Sequence, residues 1–169
     1  MLMDSRDHND QESRRYLRFR IGKTPLAIPL KKVWMILHGE RIEGVSGAPR
    51  SMKGKIPFYA GATPVLDPEQ KLPVDASDSD TLGNCVLMME YKQEGSKNKD
   101  HFFGLPVDQV IGIDEICIKD ISPNLPSLSG QDWGNPVGTA EVNRETIHIV
   151  DPEKLITSKD MKLFLEACQ

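Results

Sequence analysis

Leu26-Ala27-Ile28-Pro29-Leu30-Lys31-Lys32-Val33-Trp34-Met35-Ile36 and Phe103-Gly104-Leu105-Pro106-Val107-Asp108-Gln109-Val110-Ile111-Gly112-Ile113 are two versions of one phrase. Each is an apolar strand that leaves through a proline and then turns aliphatic again. A second phrase follows each of them. Val65-Leu66-Asp67-Pro68-Glu69 is echoed by Ile149-Val150-Asp151-Pro152-Glu153. The order is the same in both halves. Pro29 to Asp67 spans 38 positions and Pro106 to Asp151 spans 45, so the second copy carries extra loop. An internal duplication of this kind predicts two similar lobes packed together.

Around these phrases the chain is rich in short strands. Tyr16 to Ile21 alternates, with Leu17, Phe19 and Ile21 on one face and Tyr16, Arg18 and Arg20 on the other, which predicts a half-buried strand. Gly22-Lys23-Thr24-Pro25 is a turn, and Leu26 to Pro29 is the returning strand. Lys31 to Leu37 fits either a helical turn or a strand. Ile56 to Tyr59 and Ala62 to Leu66 read as a pair around Gly61. Cys85 to Tyr91 and His101 to Leu105 read as a hairpin with a polar tip at 92–100. Ile111 to Ile118 is a further strand, Ser122 to Pro136 a loop, and Val137 to Val142 pairs with Thr146 to Val150 across Asn143-Arg144-Glu145.

Asp67-Pro68 and Asp151-Pro152 have helix-start chemistry, because aspartate caps free N–H groups and proline suits the first helical position. Ser158 can cap a closing helix whose Met161, Phe164, Leu165 and Cys168 form one apolar stripe. The acidic, turn-rich stretch near 73–84 is the expected linker between lobes. Residues 1–14 are expected to be a disordered tail and 15–168 the folded domain.

Composition excludes several classes. The 169 residues suffice for a real core, and 27 % charged with 38 % hydrophobic residues suits a globular chain. The net charge of −4 offers no footprint for nucleic acid. No apolar run approaches the length of a membrane span, so no membrane insertion is expected. Three dispersed cysteines, Cys85, Cys117 and Cys168, are not a disulfide framework, and a reducing cytoplasm is the expected setting.

Reacting groups are sparse. There is no nucleophile elbow, phosphate loop, dinucleotide fingerprint or zinc spacing, so no cofactor, metal or catalytic residue is expected. Asp75, Asp78 and Asp80 lack the glycine and terminal glutamate of a calcium loop. Cys85 with His148 as base would make a small enzyme, but a cysteine buried in a strand is usually inert. What remains is a binding module that works through apolar patches and strand edges. Its candidate patch residues are Val33, Trp34, Met35 and Ile36, and Gly54 and Gly61 allow close backbone approach.

The ordered motifs resemble the CheW-like family. Tyr16-Leu17-Arg18-Phe19-Arg20-Ile21, then Leu26-Ala27-Ile28-Pro29-Leu30 and Val33, look like its start. Ala48-Pro49 … Met52-Lys53-Gly54, Pro64-Val65-Leu66-Asp67, Gly104-Leu105-Pro106-Val107-Asp108-Gln109-Val110, Ile121-Ser122-Pro123 and the ending 149–156 are similar to later segments. The resemblance implies a mainly β fold: two packed five-stranded SH3-like β-barrel subdomains with short helices and a C-terminal helix. It also implies a non-enzymatic, cytoplasmic adaptor in a two-component chemotaxis system. Its partners would be the regulatory domain of a CheA-type histidine kinase and the cytoplasmic tip of a chemoreceptor, with Val33 and Gly54 facing the receptor. One departure stands out. The family's Leu-Arg-Gly falls on Phe58-Tyr59-Ala60, with a tyrosine for the arginine and the glycine replaced or displaced to Gly61. Tyrosine cannot supply the guanidinium's charge and donor fork. This predicts a divergent member serving a specialised array, such as one for pili or surface motility. The alternative is a regulator of the same fold that does not couple receptors in the ordinary way.

Overall fold

The alternation at Tyr16–Ile21 lies within strand β1, Ser13–Ile21, which turns at Gly22 into β2, Thr24–Pro29. Gly22 takes a φ of +59°, which glycine alone adopts freely at the first position of a two-residue hairpin loop. In this computed structural model the described residues are 12–58, 61–76, 81, 83–92, 101–123 and 138–169. A 3-10 turn at Leu30–Lys32 leads into β3, Val33–His38, so the ambiguous Lys31–Leu37 stretch is a turn followed by a strand. Then come β4, Met52–Phe58; β5, Gly61–Leu66; β6, Cys85–Tyr91; β7, His101–Val107; and β8, Gln109–Cys117. The two-residue β9, Ser122–Pro123, precedes β10, Gly138–Val142, and β11, Glu145–Ile149. Asn143 and Arg144, with φ of 52° and 66°, form the two-residue turn of the last hairpin. Helix α1, Ser158–Cys168, ends the chain. The expected hairpin tip at 93–100 and the loop at 124–137 lie outside the described residues.

The strands form two sheets. One runs β8-β1-β2-β11-β10-β9 and the other β3-β6-β7-β5-β4. The sheet orders contain the duplication. Leaving aside the short β9, β8 corresponds to β3, β1 to β6, β2 to β7, β11 to β5 and β10 to β4. Register confirms it residue by residue. The parallel pair Ala27–Ile149 has its twin in Gly104–Val65, and the antiparallel pair Phe19–Val110 has its twin in Met89–Val33. Each copy therefore gives a hairpin to one lobe and three strands to the other. The expectation that the stretch near 73–84 links two lobes is corrected accordingly. It joins β5 to β6 within one sheet, and Leu72, Val74 and Ala76 are buried in the core.

Burial follows from this interlocking. The face of β1 carrying Leu17, Phe19 and Ile21 meets Leu26, Ile28, Leu66, Leu87, Met89, Phe103 and Leu105 in a core shared by both lobes. The opposite face is not solvated as a half-buried strand requires. Tyr16 closes on Ala27, Ile116, Ala140, Ile147 and Ile149 inside the first barrel. Arg18, 8 % exposed, is accommodated by ion pairs to Asp114 at 3.1 Å and Glu145 at 3.4 Å, and Arg20 holds Glu145 at 2.9 Å. The second barrel packs Ile56, Val65, Val86 and Met88. Asp67 and Asp151 accept from the N–H groups of Glu69 and Glu153, as their sequence context predicts. Helix α1 is capped by Thr157 and not by Ser158. The Thr157 side chain accepts from the Asp160 N–H while Asp160 accepts from the Thr157 N–H. Met161 and Phe164 are buried, with Leu165 and Cys168 packed beside them.

Candidate protein-interaction surface

Strands β3 and β8 each stand at one end of their sheet's strand order, with β4 and β9 at the other ends. Each carries the same irregularity. The pairing of β3 with β6 skips from Val33 to Met35, and the pairing of β8 with β1 skips from Val110 to Gly112. Trp34 and Ile111 are therefore the extra residues of two equivalent β-bulges. A bulge frees one residue from the ladder and re-aims its side chain. Trp34 is 53 % exposed and Met35 44 %, while Ile111 is 38 % exposed and Ile113 54 %. The flanking valines, Val33 and Val110, turn the other way and pack on the shared core. The sequence thus places one apolar side chain outward and its neighbour inward on each lobe.

Trp34 does not stand alone. Its ring lies 5.6 Å from that of Phe102 on β7, and Phe102 meets Phe58 on β4 edge-on at 5.2 Å. Such tilted arrangements let a positive ring edge face a negative ring face. Phe58 and Phe102 rest on the second barrel's core, so this aromatic group is supported from below. Gly61 pairs with Phe58 and is exposed, with no atom of the described residues within 4 Å of where a Cβ would stand.

The other sequence candidates divide differently. Val33 is half-buried against the core, which makes it a packing residue at the base of the surface. Gly54 is buried, and a Cβ there would lie 2.4 Å from the Glu43 carbonyl oxygen and 2.8 Å from Ile42 Cγ2. Glycine is required so that the chain leaving β3 can bond across β4, Glu43 N–H to Lys55 O at 2.9 Å and the reverse at 2.8 Å. Tyr59 lies outside the described residues. Sequence reasoning missed Ile111, Ile113 and Ile118, although aligning Val33-Trp34-Met35-Ile36 on Val110-Ile111-Gly112-Ile113 marks the first two.

The imagined Cys85–His148 pair does not form. Cys85 Sγ instead lies 3.2 Å from His38 Nδ1 on the neighbouring strand. Among the described residues the buried Nδ1 of His148 has no hydrogen-bond partner, and burial holds this imidazole below its ordinary pKa. Among the described residues no cluster of histidine, cysteine and carboxylate side chains is suited to a metal ion, and no helix is long and apolar enough to cross a membrane.

Residues 15–160 match the model of the CheW-like domain, so the chain belongs to the CheW-like family. The fold is shared with the scaffolding protein TtCheW from Thermoanaerobacter tengcongensis, at a TM-score of 0.68 and 18 % sequence identity, covering 87 % of this chain and 94 % of that one. The mainly β architecture of two SH3-like subdomains expected from the resemblance is the one found. No curated protein sequence matches the chain.

Proposed function

We propose that this protein is a non-enzymatic adaptor that couples chemoreceptors to a CheA-type histidine kinase, working at the cytoplasmic side of a receptor array. The observation that carries this reading is the pair of equivalent bulges, each presenting an apolar side chain on an outer strand of its lobe. An adaptor needs two separate faces, and a duplicated fold supplies them at related positions. Interface energy concentrates in a few aromatic or aliphatic anchors, and Trp34, supported by Phe102 and Phe58, has that character. The receptor-facing surface in this reading is Trp34 and Met35, with Gly61 at the Phe58 end of the aromatic group. Gly54 acts indirectly, by holding the chain that leaves β3 against β4. Co-sedimentation with kinase and receptor-bearing vesicles tests the coupling. Wild-type protein is expected to raise the amount of kinase that sediments, and a chain that leaves it unchanged contradicts the reading.

A second reading is favoured by Tyr59, which stands where the family's arginine is expected. In this reading the protein binds partners through the same fold in a specialised array, for pili or surface motility, without ordinary receptor coupling. Tyr59→Arg separates the two. Receptor binding gained by the variant and absent from the wild type supports the second reading.

A further inference from the structure

The two copies treat the junction between the lobes differently. In the first copy the chain passes the Asp67-Pro68-Glu69 turn and runs on through a tight turn in which the Val74 N–H donates to the Leu72 carbonyl at 2.8 Å. Leu72, Val74 and Ala76 are buried, and Asp75 between them is exposed. The segment lies tightly across the end of β1, so that a Cβ on Gly22 would stand 2.2 Å from the Asp75 carbonyl oxygen. The Ala76 N–H donates to the Glu69 carboxylate at 2.8 Å. One junction groove is thus filled by the protein's own segment, with Leu72, Val74 and Ala76 turned inward and Asp75 outward.

The second copy starts the same way. Pro152, Leu155 and Ile156 are buried like Pro68 and Leu72. At Thr157 the chain then turns into α1. The equivalent groove is left as a cleft of about 960 Å³, with Phe103 and Ile156 on its floor. A smaller cleft of about 430 Å³ continues it along α1, sharing Tyr91 and Ser158. The duplication maps one groove onto the other. Glu153 stands where Glu69 binds the Ala76 N–H, Lys31 where Asp108 stands, and Lys92 where Gly22 stands.

The walls differ in charge. Lys31, Lys32, Lys92 and Lys154 line the larger cleft against Glu90 and Glu153, and Lys159 and Lys162 line its continuation, in a chain whose net charge is −4. Glu153 is held below its ordinary pKa by its hydrogen bond to Lys32, with Lys92 and Lys31 adding to the effect. A side chain at Lys92 prevents a backbone from passing as close as it does over Gly22. A segment docked there rides further out, within reach of the lysine ammonium groups.

We propose that this cleft is a docking slot for an extended, acidic segment of a partner protein, with small apolar residues at alternate positions and carboxylates between them. The described occupant of the twin groove, Leu72-Pro73-Val74-Asp75-Ala76, has this pattern, with buried apolar residues at alternate positions and the exposed Asp75 carboxylate between two of them. Trp34, placed above on the receptor-facing surface, also lines this cleft, so the proposal deepens that reading, and because its test contains neither kinase nor receptor the two fail separately.

The probe is a labelled synthetic peptide with the sequence of residues 72–80, titrated with the full chain and followed by fluorescence anisotropy. The expected result is saturable binding that weakens with added salt. Lys31→Glu with Lys92→Glu, at two exposed positions, should weaken it about tenfold or more, with an unchanged thermal melt showing that the variant folds. A peptide with aspartate in place of its valine and alanine should bind no better than background. Three results overturn the proposal: no saturable binding, equal binding by the lysine variant, or equal binding of the aspartate-substituted peptide. Vesicles with anionic lipid that compete the peptide away would assign the lysines to a lipid surface and also overturn it.

Discussion

Gly54 and Gly61 look alike in sequence, each in a strand beside a candidate contact. The structure gives them opposite roles. A Cβ at Gly54 meets backbone within 2.4 Å, and one at Gly61 meets no atom of the described residues within 4 Å. Gly54→Ala is expected to cost about 2 kcal/mol or more, since backbone cannot step aside as a side chain can. Gly61→Ala should stay within about 0.5 kcal/mol of wild type. Urea unfolding of the two variants checks both. His148 gives a second residue-scale expectation. Its folded pKa is lowered by burial, so below the unfolded value of about 6.5 the unfolded state takes up a proton that the folded state resists. Stability should therefore fall as pH drops through the unfolded value toward the lower folded one, and His148→Leu should flatten that slope. These roles were only partly legible beforehand. The sequence identifies a glycine or histidine in a strand, but the neighbour that gives it meaning comes from a distant segment.

At the scale of elements, the strands were legible because alternation and turn residues are local signals. β1 shows where such signals end. Its alternation was correct, yet its polar face lies inside a barrel, with Arg18 bonded to Asp114 and Glu145 from strands 96 and 127 residues away. No local pattern carries that information. The bulges were also hidden, since one extra residue in a ladder is visible only against its partner strand. Helix α1 was legible in its stripe and misread by one residue at its cap. Its docking adds a prediction. Burial pushes Asp160 up, but its bonds to Lys71 at 2.6 Å and to Thr157 outweigh this and leave its pKa below the ordinary value. The ionised carboxylate therefore stabilises the fold above the unfolded pKa, and this contribution is lost as pH falls through the folded one. Asp160→Asn should cost about 1–2 kcal/mol at neutral pH. The difference from wild type should shrink as pH falls below the unfolded value of about 3.8 and vanish below the folded one, as read by chemical denaturation at a series of pH values.

Across the whole molecule, the repeated phrases correctly announced two related lobes but not how the chain divides between them. Separate lobes and interlocked lobes have the same repeat, because the repeat records the order of elements and not their partners. The interlocked arrangement has a consequence. Neither half of the sequence contains a complete sheet, so the lobes should unfold together. It also fixes the candidate surface, placing Trp34 and Ile111 at equivalent bulges on two outer strands. The most direct test of that account is calorimetric titration of the full chain with the regulatory domain of a CheA-type kinase. Trp34→Ser/Met35→Ser and Ile111→Ser/Ile113→Ser are titrated beside the wild type. The account predicts that the wild type binds and that one of the paired variants loses binding at least tenfold while keeping its melting temperature. A wild type that does not bind, or two variants that bind as the wild type does, would contradict it.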